Sequence, residues 1–190
     1  TPYLPTWATA PISTAAHWRF ARPYLLLSGS LPTKEQLDAY SKLIAQTMPL
    51  NHTAVMNILS LKGRNIMNIL ARSVLELYTY DENPDDISPD NLIRQSINLI
   101  AKFPSIIALA YQVMRHNEQG RSLHIRHPFE DRSVAENFLF MMKGHDEYTE
   151  LDIKILDLAL ILHAEHGGGN NSTFSVRVTS STETDTYSAI

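Results

Sequence analysis

The sequence predicts an all-α fold, and three observations carry that expectation. Apolar residues recur at helical spacing from Leu31 onward, capping patterns punctuate them, and no segment shows the period-2 alternation of a half-buried strand. A chain of 190 residues with 44% hydrophobic residues suits one domain or part of a larger one, with enough apolar material for a core.

The elements follow in order. Residues 1–32 hold Pro2, Pro5, Pro11, Pro23 and Pro32, half of the ten prolines, and predict an irregular arm, because proline removes a donor and restricts the residue before it. Thr33 and Gln36 form a capping box that starts a helix to about residue 46. Pro49 separates it from a second helix, 51–61, with Ala54, Val55, Ile58 and Leu59 on one side. A third runs from 64 to 80 on Ile66, Met67, Leu70, Val74, Leu77 and Tyr78. The acidic run 81–87 is expected to be a solvated loop without further role. Ser88 and Pro89 open a helix to about 102, where Pro104 is expected to bend or restart it before it continues to His116. Ser133 and Glu136 make another capping box, and that helix stops at Gly144. Thr149 caps the next, and TDTYSAI at the end has the character of a new helix.

Chemistry concentrates between Leu151 and Arg177. The helix there is apolar nearly all round, which predicts a core position. It ends in His163, Glu165 and His166, which are costly to bury without partners, and then in Gly167, Gly168 and Gly169, expected to supply a left-handed cap and room for close approach. The pattern is that of an active-site wall or of a capped helix whose histidines favour its negative end. The three residues from His163 coincide with half of a zinc deaminase signature, but that site needs a cysteine pair and the chain has no cysteine. His163 and His166 do not match the i, i+4 spacing of the helical zinc motif, so no metal site is expected. The glycines follow a helix C-terminus, which argues against a phosphate cradle. Ser172 and Thr173 show no triad arrangement. The loop from Arg115 to His127, with Arg121, His124 and Arg126, is the most basic part of the chain. It is either a solvated connection or a contact for an anionic ligand.

Composition limits the alternatives. The net charge of −4 and a pI near 6.0 give no reason to expect nucleic acid. No uninterrupted apolar run approaches the roughly 18 residues of a membrane span, and the start lacks signal-peptide order. With no cysteine, a cytoplasmic location is expected.

The segment LHAEHGGGNNSTFSVRVTSSTETDTYSAI resembles the central segment of the citrate synthase family. Upstream, YLLLSGSLPTKEQL, FPSIIALAYQVMRH and HIRHPFEDRSVAENFLFM resemble its earlier helices, so the likeness covers residues 24–190 in order. It implies a multi-helical citrate synthase-like large domain, truncated before the small domain, with residues 1–23 as an arm unlike the family's usual start. It further implies a homodimer in the full-length form and condensation of acetyl-CoA with oxaloacetate, with acetyl-CoA a co-substrate and no permanently bound cofactor. 2-Methylcitrate synthase, which uses propionyl-CoA, is a close relative. Carried residue by residue, His166 matches the family's oxaloacetate-binding histidine and Asn170 the asparagine of the same motif. Arg115 or Arg121 corresponds to a CoA-phosphate contact. His163 is expected to be structural. The family's Gly-Pro-x-His-Gly motif, second catalytic histidine, catalytic aspartate and carboxylate-binding arginines would follow Ile190, so the chain by itself is expected to be inactive. A non-catalytic helical interaction module is the alternative from another class.

Overall fold

The computed structural model describes residues 23–145, 147–165 and 167–190. Most of the proline-rich arm and His166 therefore lie outside the described residues. Among those described, the structure is helical and without strands. After helical turns at 23–28, the elements are α1 (Lys34–Thr47), α2 (His52–Ser60), α3 (Ile66–Glu76) running into a 3-10 turn (Leu77–Tyr80), α4 (Pro89–Gln119), α5 (Val134–Lys143), α6 (Glu150–Leu162), α7 (Asn171–Ser180) and α8 (Thr186–Ala189).

The caps are where the side chains require them. The Thr33 box is complete, Asn51 and Asn65 cap α2 and α3, and Ser133 Oγ accepts from the Glu136 amide. At α5 only that first half of the expected box is formed, whereas Thr149 and Asp152 form both halves at α6.

Helix α4 is the axis of the molecule. On one side Leu99, Ile106 and Leu109 pack with Val55 and Ile58 of α2, with Ile69, Leu70 and Val74 of α3, and with Tyr187 of α8. On the other, Ala101 and Ala108 pack with Tyr40, Ile44 and Met48 at the α1 end and with Phe140 and Met141 of α5. Two polar ties reinforce it: Ser105 Oγ donates to the Met48 carbonyl (2.8 Å) and Gln112 Nε2 to the Met142 carbonyl (2.8 Å). An 18-residue window of α4 has a mean hydropathy of 1.4, enough by length and composition for a membrane helix. Half of that window is buried against its neighbours, which accounts for its apolarity as core.

Pro104 does not restart the helix. Assignment is continuous from 89 to 119, with Pro104 inside. An interior proline removes a backbone bond and costs about 3 kcal/mol or more in an isolated helix. Here Ala101, Ser105, Ile106 and Ala108 are buried around it, so packing offsets the lost bond. Helix α4 runs three residues past the expected end at His116 and stops on Gly120 at φ +63°, the left-handed position that glycine adopts without strain.

Helix α6 departs from expectation. Leu151, Ile155, Leu158 and Leu162, spaced four, three and four apart, form one stripe that is 64, 58, 50 and 61% exposed. Only Asp157 is buried on this helix. A helix apolar on all sides has to be covered on all sides, and among the described residues the main cover of α6 is on one side, where it meets α5.

Candidate functional site

The end of α6 and the start of α7 form the candidate site. Helix α6 closes at His163, whose amide donates to Ala159 O, and not on a left-handed glycine. The His163 ring turns back on its own helix, with Nδ1 donating to the Ala159 carbonyl (2.8 Å). That bond fixes the tautomer and orientation of the ring. His166 follows three residues later, outside the described residues, and Glu165 Oε1 accepts from the Gly167 amide on its far side. Of the three glycines only Gly167 has positive φ (+80°), so it alone requires glycine for conformation. A Cβ on Gly168 would meet Arg177 Nη1 at 3.9 Å, an ordinary contact distance that places the Arg177 guanidinium beside the glycine segment.

Asn170 is the N-cap of α7. Its Oδ1 accepts from the amides of Ser172 (2.9 Å) and Thr173 (3.2 Å), and its own amide donates to the Gly167 carbonyl (3.2 Å). Its oxygen is thereby committed to the helix, and the Nδ2 amino group is the part that can donate to a ligand. For an anionic keto acid this is the useful half: a donor at the positive end of a helix.

An apolar cleft of about 790 Å³ adjoins this segment. Tyr40, Phe103, Phe138, Leu160, His163 and Ile190 are among the residues on its walls. Burial pushes the Tyr40 hydroxyl up to about 12, so it is a neutral phenol at physiological pH.

The two arginines of the basic loop meet at the other end of α4. The Arg121 amide donates to the Arg115 carbonyl (3.4 Å), His116 Nδ1 donates to the Arg121 carbonyl (2.7 Å), and the Arg115 guanidinium lies 5.5 Å over the Tyr111 ring. The Gly120 cap thus brings Arg115 and Arg121 together, but neither lines the cleft beside His163. Arg115 lies eight residues beyond Ile107 of the cleft wall, roughly 12 Å along the helix axis. Arg126 is engaged structurally: it donates to the Met141 carbonyl and lies 3.2 Å from where a Gly144 Cβ would stand.

One cluster escaped the sequence reading altogether. Asp81, assigned above to a solvated acidic loop, has a side chain only 2% exposed. Its carboxylate accepts from Tyr187 Oη (2.6 Å), Arg94 Nη2, Gln95 Nε2 (3.1 Å) and the Asn83 amide (3.0 Å). Burial by itself raises this carboxyl, but those donors outweigh it and hold it down at about 2. The same pairing and burial push the Tyr187 hydroxyl up, burial being the larger cause. The only sequence signal was a tyrosine in the final polar segment, too common to single out.

Comparison with known proteins places this geometry. The profile of the family described as "Citrate synthase, C-terminal domain" matches residues 8–190, a range that begins within the proline-rich arm. The chain is 37% identical over 172 residues to a citrate synthase of Haloferax volcanii, covering 88% of this chain and 43% of that protein. It is 36% identical over the same length and shares to a protein named 2-methylcitrate synthase 1 of Corynebacterium glutamicum. The crystal structure of a citrate synthase from Pyrobaculum aerophilum superposes with a TM-score of 0.77 at 31% identity, over 90% of this chain and 43% of that one. The chain thus spans under half the length of the relatives it matches.

Proposed function

The chain belongs to the citrate synthase family, and from that premise we propose that it supplies the oxaloacetate-facing wall of an enzyme that condenses acetyl-CoA with oxaloacetate, releasing citrate and CoA. The observation that carries this reading is the placement of Asn170 at the head of α7, with its Oδ1 on the Ser172 and Thr173 amides, inside the range 8–190 that the family profile matches. In this reading His166 and Asn170 donate to the keto acid, and the positive end of α7 stabilises its negative charge. His163 holds the end of α6 through its bond to Ala159 and does not touch substrate. Arg115 and Arg121 offer their charge to a CoA phosphate. Their distance from the cleft suits the far end of a long co-substrate and not its thioester. The reaction needs no resident cofactor, and the reading includes a cytoplasmic location.

The proposal extends to a homodimer. The 151/155/158/162 stripe of α6, together with Phe174 (63% exposed) and Val178 on α7, is a pair of apolar helix faces of the kind that subunits bury against each other.

In this reading the aspartate that abstracts the methyl proton is supplied from outside the 163–171 segment. The enzyme that carries this chain is expected to release CoA thiol from acetyl-CoA and oxaloacetate, followed with a thiol reagent. No thiol release from it would favour a non-catalytic helical module. A second reading, 2-methylcitrate synthesis, is favoured by the near-equal identity to the two named relatives. Relative kcat/KM for acetyl-CoA and propionyl-CoA decides it, since one methylene in a pocket is worth about 1–3 kcal/mol.

A further inference from the structure

Among the described residues, helix α7 carries Asn170 at its head yet buries none of its own side chains, and its principal packing partner is the short α8. What holds it has to come through α8. The backbone is hydrogen-bonded from α7 through the turn that follows it and again in α8: Ser181 N donates to Arg177 O, Thr182 N to Thr179 O, Glu183 N to Ser180 O and Ala189 N to Asp185 O. Glu183 takes φ +60°, a conformation non-glycine residues seldom adopt, which marks a tight turn held by its surroundings. Beyond the turn, Tyr187 is buried in the α2–α3–α4 core, edge-on to Tyr78 at 6.4 Å, and donates to Asp81, 106 residues away. Next to it Thr186 Oγ1 donates to Gln95 Oε1, whose amide nitrogen in turn donates to Asp81. The described chain therefore returns from the candidate site to a saturated, buried carboxylate on the scaffold.

We propose that the Asp81 hub is a positioning device for the keto-acid site: Tyr187 and Thr186 latch α8 to α4 and so fix the rod of α7 that presents Asn170. The inference rests on the reading of Asn170 as a substrate residue. Tyr187 and Thr186 are positioning residues and touch no substrate. Helix α7 is about 15 Å long, so a small tilt at its latched end is felt at its head, and misplacement by about 1 Å can cost on the order of a hundredfold in rate.

The test uses Tyr187→Phe, which removes one hydroxyl and keeps the ring, and independently Thr186→Val. In the active enzyme carrying this chain, each is expected to raise the KM for oxaloacetate about tenfold while the KM for acyl-CoA stays within about twofold. An unchanged oxaloacetate KM, or equal changes in both KM values, overturns the proposal whatever happens to Tm. The second readout needs no activity: in the 190-residue chain, backbone amides of 171–180 are expected to exchange about five- to tenfold faster in Tyr187→Phe, as loss of one hydrogen bond implies. If the wild-type enzyme does not condense these substrates, the proposed function fails and the exchange rates alone decide the latch. Unchanged exchange in α7 overturns it.

Discussion

Asn137 offers the most quantitative test of how the chain is held together. It is fully buried on α5, and both ends of its amide are used on one loop. Oδ1 accepts from the Phe129 amide (2.8 Å), and Nδ2 donates to the Phe129 carbonyl (2.8 Å) and the Arg132 carbonyl (3.3 Å). The loop so fixed carries Phe129 against Phe140 (5.0 Å between centroids) and Arg132 over Phe129 (4.1 Å). Asn137→Ala removes three hydrogen bonds at about 1 kcal/mol each and leaves buried backbone groups unpaired, so the expected loss is about 3–4 kcal/mol. For a domain of this size that corresponds to a fall in Tm of roughly 6–15 °C. Asn137→Asp supplies an independent check. It keeps the acceptor for Phe129 N but sets a carboxylate against two carbonyls, so its folded-state pKa is raised. Its protonated form, which can donate to a carbonyl, is favoured on folding, and the variant therefore recovers stability as pH falls from 7 towards about 4.5. Urea denaturation followed by circular dichroism measures both effects. A cost below about 1 kcal/mol for the alanine variant, or no pH dependence of the aspartate variant relative to alanine, would refute the reasoning.

Further outcomes follow from other sites. Asp81 is held at about 2 against an unperturbed 3.8, so the stability it contributes is present above 3.8 and is lost as pH falls through 2. Asp81→Asn should cost about 2 kcal/mol at pH 7, and the difference from wild type should vanish near pH 2 in acid denaturation curves. Gly120→Ala forces a side chain into φ +63° and should cost about 1 kcal/mol by urea titration. Leu158→Gln on the exposed α6 stripe should leave the stability of the 190-residue chain within about 0.5 kcal/mol while reducing its self-association in sedimentation. Asn170→Ala should lose about 1 kcal/mol of capping energy and weaken oxaloacetate binding; Asn170→Ser restores the cap without Nδ2, so binding should remain weak when stability returns.

Local signals were legible wherever a residue acts on its near neighbours. The caps at Thr33, Ser133 and Thr149 and the stop at Gly144 depend on contacts within a few residues, and the structure has them. Failures came where the deciding partner is remote. Asp81 stands in a run that reads as solvated, and the convergence of Arg94, Gln95 and, from 106 residues away, Tyr187 makes it a buried hub. Pro104 breaks an isolated helix, but packing on both sides of α4 keeps this one continuous. Within the candidate site, the resemblance singles out Asn170, and the structure makes it the N-cap of α7. Its capping bonds, and the use of His163 Nδ1 on its own helix, could be seen only in coordinates.

Helix α6 shows what hydrophobic periodicity cannot say. An all-round apolar helix is certain to need covering, but the pattern does not name what covers it. Burying a leucine or isoleucine fully is worth about 1.5–3 kcal/mol, and four such side chains stand half or more exposed along one stripe of α6. Any partner surface that closes over them gains several kcal/mol before the cost of association is met. The same helix ends at His163 and leads directly into the glycines and Asn170. Closing that face would therefore hold the α6 end of the site, while the Asp81 hub holds α8 at the other end of α7. In the proposed dimer, association and substrate binding would share one structural element and should be coupled: oxaloacetate should tighten the dimer, and Leu158→Gln should weaken oxaloacetate binding without touching it. Equal oxaloacetate affinity in the monomeric variant and the dimeric wild type would separate the two and remove the coupling.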